Sequence, residues 1–206
     1  MKPEKEKIID NLVKETFAKL LSDVSDLTIE QVAPVVEIME VVNVKRNTII
    51  IDRREISGNF YFIYSGVVRV YFYKNERMII ERFESERGFF GGNFTRVNNG
   101  RSTHVYESLE DTILLKINYT DLDELCKRSH EIERAYRIIL ETFHYSYTNR
   151  IYAFKALTTE ERYSEFMHSY GDIANRIPLK DVANYLDMTP ETLSRIRSKY
   201  DKLNNK

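Results

Sequence analysis

The sequence predicts an α+β fold: an N-terminal β-roll of the jelly-roll kind, then one long helix, then a C-terminal helical unit ending in a helix-turn-helix. Three observations carry this. Short β-prone runs broken by turn residues fill residues 36 to 117, and residues 129 to 157 run without Gly or Pro at helical spacing. The chain then closes on two helical patterns split by a tight turn. The boundaries that follow are 1–128 for a sensor-like roll with preceding helices, 129–157 for the long helix and 158–206 for the C-terminal unit.

Composition bounds the chemistry. Hydrophobic residues make up 42% and charged residues 31% of 206 residues, enough for packed cores, with a formal net charge of −1. The charge is uneven: residues 189 to 206 hold Arg195, Arg197, Lys199, Lys202 and Lys206 against Glu191 and Asp201, a place for phosphate contacts or an ordinary solvated surface. A single cysteine, Cys126, excludes an internal disulfide and any multi-cysteine metal site, and is expected to pack at a helix end. No apolar run is long enough to span a bilayer and the start lacks a signal-peptide core, so the expected compartment is the cytoplasm, with no membrane partner.

The elements follow in order. Ile8, Ile9, Leu12, Val13, Phe17, Leu20 and Leu21 recur at helical spacing, and Thr28 caps a second short helix that Pro34 is expected to close. The strand candidates are VEIMEVVNV, TIIID, NFYFIYS, VVRVYFY, RMIIERF, THVYESL and TILLKI. Ser65-Gly66, Lys74-Asn75, Gly91-Gly92 and Asn98-Asn99-Gly100 supply turn chemistry between them, and closely spaced strands of this number suggest a closed roll. The long helix carries two apolar stripes: Ile132, Tyr136, Ile139 and Phe143, then Leu140, Tyr147, Ile151 and Phe154. One stripe is expected to meet the roll and the other a second copy, giving a homodimer.

At the C-terminus Ala183, Asp187, Leu193 and Ile196 occupy the small, turn and apolar positions that hold a helix-turn-helix at its crossing angle. Asp187 stands where glycine is common, but Asp tolerates the left-handed region. Thr189 is a good N-cap before Pro190. Glu191, Ser194 and Arg195 then share one face, and carboxylate, hydroxyl and guanidinium can read cytosine, several base edges and guanine in a major groove. Glu191 and Arg195 at four-residue spacing can equally form a solvent-facing ion pair. Lys180, Arg197, Lys199 and Lys202 are candidates for phosphate contacts beside them.

The order of roll, long helix and IPLKDVANYLDMTPETLSRIR resembles the Crp/Fnr family, the cyclic-AMP receptor and fumarate-nitrate regulators. The resemblance covers most of the chain. It implies a cyclic-nucleotide-binding-like roll and a non-enzymatic transcription regulator whose Thr189, Glu191, Ser194 and Arg195 face DNA. It implies double-stranded DNA, a second copy of the chain, RNA polymerase and a small-molecule effector as partners. GFFGGNFTRVNNGRSTHV resembles the family's phosphate-binding cassette, with Arg101 and Ser102 at its Arg-Ser pair and Thr148 near a hydroxyl that reaches the purine. Two departures matter. Pro190 replaces an arginine of cyclic-AMP receptors, so their operator does not carry over, and Gly92 replaces the ribose-binding glutamate, so cyclic AMP is expected to bind weakly or not at all. The effector stays unassigned, and with one Cys and His104, His130, His144 and His168 scattered, no metal, haem or iron–sulfur cluster is expected.

Rival classes must be built from the same residues. A cupin-type enzyme needs a His and carboxylate cluster, and a Ser-His-Asp hydrolase needs a G-x-S-x-G elbow; neither occurs. A cyclic-nucleotide-binding-like regulatory protein whose tail binds protein instead of DNA fits the same pattern.

Overall fold

A computed structural model describes residues 4–91 and 101–204, and its elements follow the predicted order. α1 (Glu4–Ser25) is amphipathic, but only Val13, Phe17 and Leu21 of the expected stripe enter the core, while Ile8, Ile9 and Leu12 stay exposed. That narrows the stripe to its second half. α2 (Ile29–Glu37) opens on a capping box: Gln31 N–H donates to Thr28 Oγ1 at 3.3 Å and Thr28 N–H donates to Gln31 Oε1 at 2.9 Å. Pro34 does not close α2 but sits inside it, because the loss of one N–H bond is outweighed by burying Val32 and Val35 on either side. The helix therefore takes Val36 and Glu37 from the first expected strand.

The strands are β1 (Glu40–Val44), β2 (Ile49–Ile51), β3 (Asn59–Ser65), β4 (Val68–Lys74), β5 (Arg77–Glu84), β6 (Phe89–Gly91), β7 (Val105–Ser108) and β8 (Thr112–Asn118). They form two antiparallel sheets, a first ordered β1-β8-β3-β6 and a second ordered β2-β7-β4-β5. Sequence reading missed β6, whose Phe-Phe-Gly run is too short to show alternation. The side-chain period of two sends Tyr61, Ile63, Val68, Val70, Phe90, Tyr106 and Leu114 between the sheets. Phe90 stacks there between Tyr61 and Tyr106, with ring centroids 4.9 and 5.4 Å away. At Gly66 the φ is +116°, and an added Cβ would lie 2.3 Å from Thr112 Oγ1, so the turn into β4 accepts glycine alone.

Helices cover both outer faces. α3 (Tyr119–Arg128) and α4 (His130–Ala156) join α1 and α2 on the first sheet, where Phe60, Phe62, Leu115 and Ile117 meet Phe17, Leu122, Ile132 and Ile139. Half-buried Cys126 packs near the end of α3, as expected. On the second sheet Val67, Tyr71, Ile80 and Phe83 meet α5 (Thr159–Tyr170), α6 (Leu179–Tyr185) and α7 (Pro190–Asn204) through Tyr163, Phe166, Val182 and Leu186. Of the two stripes on α4, Ile132, Tyr136, Ile139 and Phe143 join the first cluster. Of the other, Leu140 is half-buried, while Tyr147, Ile151 and Phe154 stay 40%, 57% and 37% exposed.

Candidate nucleic-acid interface and sensor site

α6 and α7 are joined by Leu186, Asp187, Met188 and Thr189. Ala183 and Leu193 are essentially fully buried and Ile196 nearly so, which lets the two helices pack closely. Asp187 has φ 52°, the left-handed value the turn requires, and the Met188 N–H closes on Ala183 O at 3.0 Å. Thr189 Oγ1 accepts from Thr192 N–H at 3.2 Å, the expected cap. The structure brings Glu191, Ser194 and Arg195 together on the exposed side of α7, with Arg197, Lys199 and Lys202 exposed further along and Lys180 exposed on α6. Among the described residues no ion pair joins Glu191 to Arg195; Arg195 Nη2 instead donates to Thr192 Oγ1 at 3.4 Å. The Glu191 carboxyl is held below the usual carboxylate range by its own backbone N–H, then by the Thr189 hydroxyl and Arg195. Lys206 lies outside the described residues.

The opposite side of α6 is locked to the second sheet. Asp181 is 1% exposed and accepts from Arg69 Nη1 at 2.8 Å, while Arg69 Nη2 donates to Glu107 at 2.9 Å. Tyr71 OH adds a bond to Glu107 at 3.0 Å, so burial first and this carboxylate second push its phenol above the ordinary value. β5 is the edge strand of the sheet, and helices take its backbone groups at Met78 and Ile80. Asn184 Oδ1 accepts from Ile80 N–H at 2.7 Å and its Nδ2 donates to Met78 O at 2.9 Å. From α4, Arg150 Nη2 donates to Ile80 O at 3.2 Å, and its guanidinium lies 4.1 Å from the Tyr185 ring centroid. Arg176 closes the far side by pairing with Glu86 at 2.6 Å and with Glu110.

Arg101 and Ser102 in the roll and Thr148 on α4 each make local hydrogen bonds. Exposed Arg101 donates from Nη1 to Arg54 O at 3.2 Å, and buried Ser102 donates to His104 O at 2.6 Å. Exposed Thr148 returns its hydroxyl to His144 O at 2.9 Å on its own helix. Gly92 and the Asn98-Asn99-Gly100 turn lie outside the described residues.

Sequence reasoning missed the charged centre beneath α4. Arg82 on β5 donates from Nε to Glu84 at 2.6 Å, pairs with Glu81, and lies 5.7 and 5.1 Å from the rings of Tyr106 and Tyr147. It thereby ties β5, β7 and α4 in one stack. Burial holds the Glu84 carboxyl above its ordinary value, with Arg82 offsetting only part. For Glu81 burial acts upward too, but hydrogen bonding to His104 and the charge of Arg82 outweigh it and leave the group low. The only signal in the sequence was a set of charged residues inside the strand run RMIIERFE. A separate apolar cavity of about 30 Å³ between the first sheet and α1–α4 is lined by Phe17, Leu27, Phe60 and Ile117, room for about one water and no nucleotide.

With this geometry in view, the comparisons place the fold. Residues 41–129, which span most of the roll, match the family model of the cyclic nucleotide-binding domain. The chain as a whole has the fold of the Crp/Fnr regulators. It superposes on FixK2 from Bradyrhizobium japonicum with TM-score 0.67 at 18% identity, over 80% of this chain and 85% of that one. CLP of Xanthomonas campestris, a c-di-GMP responsive global regulator, gives 0.67 at 14%, over 85% and 92%. A protein assigned to the Crp/Fnr family from Eubacterium rectale gives 0.64 at 19%, over 86% and 85%. A sequence search among curated proteins finds no match.

Proposed function

We propose that the protein is a DNA-binding transcription regulator that reads an inverted-repeat operator as a homodimer, with residues 1–128 as sensor, 129–157 as dimerisation helix and 158–206 as DNA-binding domain. The observation that carries the reading is the exposed face of α7, where Glu191, Ser194 and Arg195 stand together behind a capped helix start while α6 is held from behind. The exposed Ile151 and Phe154, with the outer part of Tyr147, support a partner copy on α4, because exposed apolar side chains on one helix gain most by covering each other. A dimer of this kind sets its two α7 helices in successive major grooves, with half-site centres about 34 Å apart.

In this reading Arg195 reads guanine and Glu191 cytosine, Ser194 adds a weaker bond, and Lys180, Arg197, Lys199 and Lys202 hold phosphates. RNA polymerase would be the further partner of a regulator bound at a promoter. Arg101 and Ser102 are present but Gly92 offers no carboxylate to a ribose, so the roll takes either a small-molecule effector other than cyclic AMP or none. The c-di-GMP response of CLP makes a dinucleotide the first candidate.

Selection of bound sequences from a random DNA pool tests the reading. Arg195→Ala is expected to cost about 1 to 3 kcal/mol and to relax one position per half-site. A uniform loss with an unchanged consensus would make Arg195 a phosphate contact. The same assay on Ile151→Glu/Phe154→Glu, paired with sedimentation, is expected to show a monomer with little DNA affinity. A dimer in that variant would move the interface off α4.

A further inference from the structure

The tip of the β4–β5 hairpin stands beside the turn that precedes α7. Its two-residue loop, Asn75-Glu76, has φ values of 49° and 62°, the type I′ geometry of a tight hairpin, and Lys74 faces Arg77 as the last cross-strand pair. Both cations are exposed, and Arg77 Nη2 reaches to 3.8 Å from Asp187 Oδ1, each side chain being 72% exposed. The hairpin is held near α7 through α6. Asn184, on the last turn of α6, grips β5 by its bonds to Met78 O and Ile80 N–H at 2.9 and 2.7 Å.

Distance decides what this tip can touch. Asp187 and the Thr189 cap are two residues apart, no more than about 7 Å, so the Arg77 guanidinium lies within roughly 14 Å of the start of α7. A major groove is about 12 Å wide, so a helix seated in it has a phosphate row on each side at a comparable distance. A cation standing there meets the backbone and not the base edges. The pairing with Asp187 is long and open to water on both sides, hence weak, and leaves the guanidinium able to turn to a phosphate. Glu76 is the one carboxylate of the tip, against two cations.

We propose that Lys74 and Arg77 form a DNA-backbone contact site, so that the sensor roll itself grips the strand flanking α7. The proposal rests on the reading that α7 enters a major groove. Contacts of this kind carry no base information, so the site strengthens binding to every duplex alike. It also makes the roll part of the DNA footprint only while α6 stays docked on β5.

The test compares full-length wild type with Lys74→Gln/Arg77→Gln on the pool-selected duplex and a scrambled one, between about 50 and 200 mM salt. The double variant is expected to bind both duplexes at least about tenfold more weakly at about 0.1 M salt, and its plot of log affinity against log salt should be shallower by about 0.9 for each phosphate no longer neutralised. Asp187→Asn keeps both cations and removes the carboxylate, and is expected to bind as tightly as wild type or tighter. If wild type binds and the double variant matches it in affinity and slope, the hairpin site is overturned and the reading of α7 stands. A weakening in Asp187→Asn equal to that of the double variant also overturns it, because the tip would then act through the turn. If wild type binds neither duplex, the reading of α7 falls and the site with it.

Discussion

The two sheets of the roll are both roofed by helices, yet the two roofs are built from different chemistry. On the first sheet the contact is mainly apolar: Phe62 meets Phe17 of α1 with ring centroids 5.1 Å apart, and Phe60 joins Tyr136 and Phe143 of α4 at 6.1 and 6.3 Å. On the second sheet an aromatic cluster of Phe83, Phe166, Tyr170 and Tyr185 is ringed by directional polar contacts, from Arg69 to Asp181, from Asn184 to β5, and from Arg176 to Glu86. Apolar packing stabilises by area and tolerates small shifts, whereas hydrogen-bonded charges admit one orientation and regain water when parted. The first roof belongs to the permanent core. The second sets the angle of α6 and α7 against the sheet through contacts that depend on direction.

The largest expected effect falls on the permanent roof. Phe62 is 1% exposed, and Phe62→Ala should lower global stability by about 3–5 kcal/mol, read by urea unfolding. A destabilisation confined to α5–α7 would reverse the comparison. Next comes Arg69→Met, which leaves Asp181 charged and buried without its partner at a cost of about 3 kcal/mol. That cost should appear locally, as faster exchange of the Ile80 amide, which donates to Asn184 at the sheet edge, with the β3 amides unchanged. Unaltered Ile80 protection would mean that the ion pair does not hold the joint.

The smallest effect is a pH dependence at the far side of the same joint. Burial alone would raise the Glu86 carboxyl, but bonds from Arg176 and from the Gly66 N–H at 2.9 Å outweigh it and hold it below the usual range. A group depressed on folding contributes stability above its unfolded value, about 4.3, and loses it as pH falls through the lower folded value. The stability gap between wild type and Glu86→Gln should therefore be full at neutral pH and close below about pH 4. Glu84 responds in the opposite sense in both proteins, so the difference cancels it. A gap that stays constant into acid would remove Glu86 from the joint.

Local patterns in the chain announce much of this, and the announcement fails where partners are far apart. Ala183, Leu193 and Ile196 at fixed offsets around a left-handed Asp187 are legible because a helix pair of that kind is specified within a short stretch. The division of α4 into a covered and an open stripe is legible for the same reason, through the 3.6-residue period. Arg69 reads as an ordinary outward side chain of an alternating strand, since its partner Asp181 is 112 residues away. Arg82 is equally silent, because its ring contacts come from β7 and α4. Pro34 misleads in the other direction: its local rule is to end a helix, and tertiary burial of its neighbours overrides it.

The capping of β5 has a consequence for how the chain behaves when cut. A strand at the margin of a sheet offers a row of free N–H and C=O groups to any other chain, and here the Asn184 amide and the Arg150 guanidinium occupy that row at Met78 and Ile80. Severing the chain in the loop after α4 would remove Asn184, free Met78 O and Ile80 N–H, and leave Arg150 of α4 as the remaining cover of the apolar run Met78-Ile79-Ile80. A liberated roll should then self-associate strand against strand at concentrations where the intact chain stays dispersed, so α6 acts as a chaperone built into the sequence for the domain that precedes it.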